Sequence, residues 1–214
     1  MTLFEMRQCS NLDCGLRMPV DLDIHRGAFC PLCGAPLMRG STPFEHQVIY
    51  HQKNLQNKFL VLLDNIRSAY NVGAIFRTAD GAGVDHLYLC GITPNPGDTP
   101  SIAKTALGAE HHISWSAHPN ALTLAEDLKE KGCQLLALES TPEAEPLDRF
   151  DVRAKSEQSL LLIVGNERAG VDPGLIDLCN AVLALPMAGG KTSLNVGVAF
   201  GIAAYWLTYF QNRM

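Results

Sequence analysis

Four of the seven cysteines in this 214-residue chain fall in two close pairs, Cys9-x4-Cys14 and Cys30-Pro-Leu-Cys33, with fifteen residues between them. Two thiolate pairs on tight turns, joined by a hairpin-length stretch, are what a tetrahedral zinc ribbon requires. Gly15 and Gly34 follow the second cysteine of each pair, where the backbone must curl round a metal. A small reduced core or a redox pair would use the same residues. A segment of about 40 residues barely folds without a staple, however, which favours metal. Structural zinc on Cys9, Cys14, Cys30 and Cys33 is therefore expected. The first pair is wider than CxxC, and His25 is a substitute ligand by type, but four cysteines already close the site. A closed site is structural, which argues against a zinc-dependent hydrolase.

Polar chemistry also gathers in the loop PMAGGKTSLN at 186–195, between the apolar run 182–185 and an apolar stretch reaching Phe210. Gly189 and Gly190 let backbone approach a ligand closely. Ser193 and Asn195 stand at a helix start, where unpaired N–H groups also point. Gly190-Lys191-Thr192 looks like the end of a phosphate-binding loop. The glycine such a loop needs five residues earlier is Leu185, which argues against a nucleotide triphosphatase.

Two more loops follow apolar runs. Asp64-Asn65-Ile66-Arg67 leads to Asn71 and then Arg77. Six residues on a helix make about one and two-thirds turns, so Asn71 and Arg77 do not share a stripe. A capping asparagine and a solvated arginine would account for both. Gly165-Asn166-Glu167-Arg168-Ala169-Gly170 lacks the GxGxxG arrangement, so a dinucleotide fingerprint is not supported. A turn with a solvated Glu167–Arg168 pair is the plain alternative.

These loops need a frame. From Phe59 onward, short wholly apolar runs alternate with segments of helical spacing. Strands are expected at 59–63, 86–90, 113–115, 133–139, 160–164 and 182–185, with helices over 72–82, 102–107, 120–131 and 195–210. The alternation predicts an α/β fold whose mostly parallel sheet is covered by helices on both faces. Ligands in such sheets bind beyond the carboxyl ends of the strands. The last helix is apolar almost all round and must be buried on most sides, in its own core, in a dimer interface, or in both. Cys90, Cys133 and Cys179 read as small core residues. Residues 41–58 are polar and glutamine-rich. They read as a linker, with one helical stretch at 44–55, between a ribbon at 1–40 and the α/β domain at 59–214.

Hydrophobic content of 47% is ample for a core. No run of eighteen apolar residues exists, so no transmembrane helix is expected. The N-terminus MTLFEMRQCS lacks the basic start and apolar run of a signal peptide. A cytoplasmic protein is expected, whose cysteines are not a disulfide framework. Residues 1–58 hold six Lys/Arg against five Asp/Glu, and residues 59–214 hold eleven against seventeen. Bulk charge thus gives no support for nucleic-acid binding, which must use a local basic surface.

Three ordered segments now become specific: Asn71-x5-Arg77-Thr-Ala, IVGNERAGV at 163–171 and LPMAGGKTSLNVGVA at 185–199. They resemble the three motifs of the SpoU (TrmH-like) family, RNA 2′-O-ribose methyltransferases of the SPOUT superfamily. The likeness covers about residues 59–214, and KTALGAE at 104–110 is similar too. The cysteine ribbon resembles an accessory domain attached to some members. The resemblance implies a C-terminal trefoil knot that binds S-adenosylmethionine, and a homodimer packed through the knot. In this sequence the cofactor loops would be Leu138, Glu139 and Ser140; Gly165, Asn166 and Glu167; and Leu185, Pro186, Met187, Ser193 and Leu194. Arg77, Asn71, Glu167, Ser193 and Asn195 match the family's catalytic polar positions.

Methyl transfer from a sulfonium to a ribose hydroxyl is an in-line displacement. The enzyme must align two atoms and ease loss of a weakly acidic proton. The family's matching arginine is often cast as the base. A deprotonated arginine is costly, its pKa lying above about 12, so Arg77 is better read as phosphate clamp and electrostatic stabiliser. Glu167 would orient Arg77 or a backbone group, and Ser193 and Asn195 would hold Arg77 or the ribose. Lys191 and Arg168 could add phosphate contacts or be solvated charges. The ribbon would grip RNA or another protein. The expected activity is methyl transfer to a ribose 2′-hydroxyl of tRNA or rRNA. A SPOUT base methyltransferase and a non-catalytic RNA-binding module on the same fold are the alternatives.

Overall fold

The computed structural model describes residues 3–24, 27–45, 57–151 and 158–210, with Phe210 described by its backbone alone. Its frame begins with a strand, Phe59–Asp64 (β5), that is buried at every residue. Side chains leave a strand on alternating faces, so Val61 and Leu63 enter one core while Leu60 and Leu62 enter another. A second strand, Leu160–Val164 (β10), is equally buried and pairs with β5 in parallel, Leu160 opposite Phe59 and Val164 opposite Leu63. Continuous apolar runs are what a strand covered on both faces demands.

Five more strands complete the sheet: β6 (His86–Cys90), β7 (Trp115–His118), β8 (Gln134–Leu138), β9 (Glu145–Pro146) and β11 (Ala181–Ala184). The order is β7-β6-β5-β10-β8-β11-β9, and every pairing is parallel. Helices α1 (Ala69–Ala82) and α5 (Val196–Tyr205) cover one face, packing Phe76, Ala79 and Phe200 against Val61 and Leu162. Helices α3 (Ala121–Glu130) and α4 (Pro173–Leu178) cover the other, packing Ala125 and Leu175 against Leu135 and Leu161. The short helix α2 (Ala103–Ala106) lies against α1, where a Cβ on Gly73 would stand 2.3 Å from the Ile102 carbonyl oxygen.

The helix starts follow local chemistry. Ser68 caps α1, Asn120 caps α3, Asp172 caps α4 and Asn195 caps α5, each accepting from N–H groups of the first turn. Such a cap is worth about 1 kcal/mol. Gly83, at φ 72°, ends α1 by returning its N–H to the carbonyls of Ala79 and Asp80.

Two local expectations shift. The strand expected at 113–115 begins at Trp115, because the Ile113 N–H closes a turn onto the Ala109 carbonyl. The last helix is α-helical only to Tyr205 and continues as a π-helical turn, Trp206–Phe210. Within that turn the Thr208 hydroxyl donates back to the Ala204 carbonyl at 2.8 Å. Within one protomer α5 is buried on one side, and the rest of the expected burial would need a partner. Val198, Ile202 and Tyr205, at spacings of four and three, form an exposed apolar stripe along it.

The chain divides into two compact units, Met1–His51 and Gln52–Met214. In the first, β1 (Leu3–Cys9) pairs antiparallel with β2 (Arg17–Asp21), β3 (Leu37–Arg39) and β4 (Phe44–Glu45). β4 lies where the sequence reads as linker with a helical stretch at 44–55. Phe44 stands opposite Phe4 with ring centroids 6.3 Å apart, so cross-strand packing overrides helical spacing there. Residues 46–56 lie outside the described residues. Glu5 is fully buried and pairs with Arg7 at 2.7 Å and Arg39 at 2.5 Å. Among the described residues no helix is long and apolar enough to cross a membrane.

Candidate functional site

The carboxyl ends of β8, β10 and β11 open into a cavity of about 440 Å³, bounded also by the first turns of α1 and α5. That volume suits a small-molecule ligand. Leu138, Glu139 and Ser140 enter it from β8, Gly165, Asn166 and Glu167 from β10, and Leu185, Met187, Ser193 and Leu194 from β11 and the loop beyond. Pro186 does not line it, although both its neighbours do. Asn71 and Asn195 stand at its α1 and α5 edges. Arg168 and Thr192 border it too, and the sequence left out Gly170, Val196 and Ala199, which also line the cavity.

The β10 loop is locked from several sides. A Cβ on Gly165 would lie 2.3 Å from the Val171 nitrogen, so only glycine lets the two strands of the loop cross there. Asn166 and Gly170 exchange two backbone hydrogen bonds of 2.9 Å. The Asn166 side chain accepts from the N–H groups of Arg168 and Ala169 and donates to the Asn65 carbonyl at 2.6 Å. Asn65 holds a left-handed backbone, φ 56°, and accepts from the Ile92 N–H. Behind it the buried Asp64 carboxylate accepts from Asn65 Nδ2 at 2.7 Å and from the Asp172 N–H at 3.0 Å. Glu139 bridges the next crossing, accepting from the N–H groups of Ser140 and Val171, both at 2.9 Å. Asp64 and Asn65 carry no sequence mark of this role beyond standing at a strand end.

Glu167 turns away from Arg168. Its carboxylate accepts from the Arg67 N–H at 2.9 Å, the Ser68 N–H at 3.1 Å and Asn71 Nδ2 at 2.9 Å. Partial burial works against the charged carboxylate, but these bonds outweigh it and hold the Glu167 pKa below its ordinary value. Asn71 is a residue of the first turn of α1, whose cap is Ser68; its Oδ1 accepts from Asn195 Nδ2 at 3.1 Å. Three distant segments are thus tied into one chain of side chains at the cavity rim.

Arg77 is not among them. It lies six residues beyond Asn71 on α1, exposed, outside the cavity lining. Glu167 orients backbone and Asn71, and Asn195 holds Asn71. Among the described residues no ion pair or side-chain hydrogen bond engages Arg77, Arg67, Lys104, Arg168 or Lys191.

In the first unit, the Sγ atoms of Cys9, Cys14, Cys30 and Cys33 all lie within 4.8 Å of one another. Cys9 and Cys33 are 3.4 Å apart, and Cys14 and Cys30 are 3.7 Å apart. A tetrahedron of thiolates at about 2.3 Å from zinc has edges of about 3.8 Å, so the cluster fits that ion. Gly15 and Gly34 are left-handed, φ 58° and 74°, as the expected curl requires. Burial raises the Cys30 pKa, but the N–H groups of Cys33 and Leu32 and the neighbouring thiols outweigh it and bring the value to about 7. That turn favours a thiolate, the form that ligates metal. His25 lies outside the described residues.

A sequence profile described as the SpoU rRNA Methylase family matches residues 58–205. A protein of Bacillus subtilis (strain 168), named for the TrmH family of tRNA/rRNA methyltransferases, is 33% identical over 155 residues, 72% of this chain and 59% of that protein. The chain therefore spans about three fifths of that relative's length. Among solved structures, an AdoMet-bound rRNA methyltransferase from Sinorhizobium meliloti superposes with a TM-score of 0.63 at 27% identity, over 73% of this chain and 57% of that one. A structure described as giving insights into the 2-OH methylation of C/U34 on tRNA superposes with a TM-score of 0.61 at 26% identity, over 73% of this chain and 97% of that one.

Proposed function

This chain belongs to the SpoU rRNA methylase family, and on that premise we propose that it moves the methyl group of S-adenosylmethionine to a ribose 2′-hydroxyl of tRNA or rRNA. The observation that carries the reading is the Glu167–Asn71–Asn195 chain at the rim of the cavity beyond β8, β10 and β11. It joins all three family motifs at one place, beside a space of ligand size.

The cavity's chemistry fits the cofactor. Leu138, Leu185 and Leu194 offer apolar contact, and the β8 and β10 loops bring polar backbone and side-chain groups. Leu138–Ser140, Gly165–Glu167 and the 185–194 loop would hold it, within a trefoil knot of the chain. Bound S-adenosylmethionine supplies an already activated methyl on a positively charged sulfur. The chain's own residues must then place the ribose hydroxyl and ease its proton loss.

Glu167 is a positioning residue. Both its oxygens already accept N–H groups, and its lowered pKa makes it a poor base. Asn71 and Asn195 fix the rim, and Ser193 faces the cavity for the ribose. Arg77, exposed and free of ion pairs among the described residues, is assigned to a substrate phosphate. The working unit is a homodimer packed through the apolar stripe of α5. The cysteine cluster holds one structural zinc. The cytoplasm is the compartment that goes with thiolate-bound zinc and an RNA substrate.

The test is calorimetric titration with S-adenosylhomocysteine of the wild type and Arg77→Ala, followed by methyl transfer to bulk cellular RNA with nucleoside analysis. Stoichiometric binding by both, transfer by the wild type alone and 2′-O-methyl nucleosides as product are expected. No binding by the wild type would remove the methyltransferase reading. A methylated base as product would remove the ribose assignment.

A further inference from the structure

The cavity accounts for a cofactor and one reacting ribose, but the surface beside it carries a second feature. Tyr70 immediately precedes Asn71, yet the residue is 53% exposed. Its carbonyl accepts from Thr105 Oγ1 at 2.9 Å, which pins the start of α1 to α2. Gly73 tightens the same contact, since a Cβ there would meet Thr105 Oγ1 and the Ile102 carbonyl within 2.3 Å. α2 then ends on Leu107, left-handed at φ 52° and ψ 41° and 65% exposed.

Leu107 is held against two preferences at once. A left-handed turn favours glycine or asparagine, and a large apolar side chain favours burial. Gly108 directly follows, also at positive φ, so a glycine-only turn would serve the fold. Strain kept where it exposes an apolar side chain points to something that covers it.

Charge indicates what. Arg67 lies three residues before Tyr70 and Lys104 three before Leu107; both are exposed and form no ion pair among the described residues. Arg77 is seven residues from Tyr70 on α1, the same side of the helix and about 10 Å along it. The nearest acid on this segment, Glu110, is buried and accepts from the Gly108 N–H. Unpaired cations thus accompany two exposed apolar side chains, and the Glu167 carboxylate beside Arg67 is already taken up by the N–H groups of Arg67 and Ser68 and by Asn71.

We propose that Tyr70, Leu107 and Lys104 form a seat for an unpaired nucleotide of the RNA substrate, next to the nucleotide that is methylated. The base lies on the Tyr70 ring and the Leu107 side chain, and Lys104 and Arg67 meet its phosphates. Aromatic rings hold unstacked bases with little sequence preference, and exposed cations supply the backbone term. This inference rests on the RNA methyltransferase reading above.

The experiment compares wild type, Tyr70→Ala, Tyr70→Phe and Leu107→Gly. It measures S-adenosylhomocysteine affinity, sedimentation and the apparent KM for unfractionated bacterial tRNA and rRNA. Tyr70→Ala should raise KM about tenfold, Leu107→Gly by less, and Tyr70→Phe should restore it, since stacking needs only the ring. Cofactor affinity and oligomeric state should not move. An active Tyr70→Ala enzyme with unchanged KM would overturn the seat and leave the methyltransferase reading intact. A changed oligomeric state would also overturn it, because the surface would then be a protein contact. A wild type that binds no S-adenosylhomocysteine and methylates no RNA would overturn both.

Discussion

Asn195 Nδ2 donates to Asn71 Oδ1 over 3.1 Å, across 124 residues of sequence. The polarity of this bond is fixed from both ends. Asn195 Oδ1 is taken by the N–H groups of Gly197 and Val198, so only its amino group is left to face Asn71. Glu167, a carboxylate, can only accept, so it takes the Asn71 amino group. Asn71 is therefore oriented as a link; turning it over breaks two bonds, and turning Asn195 over breaks three.

That link makes Glu167→Gln informative. Glutamine would point a donor at groups that already donate, the N–H of Arg67 or Ser68 or the Asn71 amide. Transfer should fall by about a hundredfold through misplacement of the rim. Stability should fall by about 1–2 kcal/mol, discounted for the side chain's partial exposure. The folded pKa of Glu167 is depressed, so its contribution is present above the unfolded value, about 4.3, and is lost as pH falls through the folded value. Urea midpoints of wild type and Glu167→Gln should differ at pH 7 and converge as the pH falls below the unfolded value and through the lower folded one. A constant gap would mean that the carboxylate charge is not what matters.

Gly170→Ala tests the crossing under the cavity. Gly170 has φ 78°, and a Cβ there would stand 2.4 Å from Glu139 Oε2. Alanine must strain the backbone and displace the carboxylate that holds the Val171 N–H. S-adenosylhomocysteine affinity should drop at least tenfold, with a stability loss of about 1–3 kcal/mol. Glu139→Ala alone should also weaken binding. The double variant should be better than the two losses added, because the clash is gone although the strain remains. Strict additivity in a calorimetric cycle would show that the contact is not the cause.

How far the sequence reaches is visible in these residues. β5 and β10 were legible because a strand buried on both faces leaves a continuous apolar run, and Asn195 because a cap is local chemistry. The cavity loops followed from their place after strands. Contacts between distant side chains leave no periodic trace, so the Asn71–Asn195 link and the Asp64–Asn65–Asn166 support could not be read. β4 was hidden for the same reason: Phe44 pairs with Phe4, forty residues away, against its own local pattern. Arg77 was legible as a motif residue, but a motif does not say which surface its helix presents.

The cysteine cluster should hold one zinc per chain, measured by metal analysis of the purified protein. Metal binding and folding are one process in so small a unit, so removal by a strong chelator should expose residues 1–51 to protease. The titration of the second unit with S-adenosylhomocysteine should be unchanged. Cys30→Ser should lose zinc, since it removes one of the four thiols of the cluster. Full protease resistance of the first unit after chelation would mean that the core of Cys9, Cys30 and Leu37 suffices without metal.

The exposed stripe of α5 bears on the assembly. Val198, Ile202 and Tyr205 lie four and three residues apart and are each more than a third exposed. The opposite side of the same helix buries Phe200, Ala203 and Ala204 in the protomer core. A single exposed apolar residue needs no explanation, but three in register on one helix amount to an unpaired face. Two such faces from identical chains meet by a twofold axis without any other partner. Ile202→Asp puts a charge at the centre of the stripe without touching the protomer core. Sedimentation at micromolar concentration should show a dimer for the wild type and a monomer for Ile202→Asp, with helical content unchanged by circular dichroism. Val198→Asp should act in the same direction but less, being near the start of the helix beside the Asn195 cap. If Ile202→Asp sediments as the wild type does, the stripe is not a subunit contact.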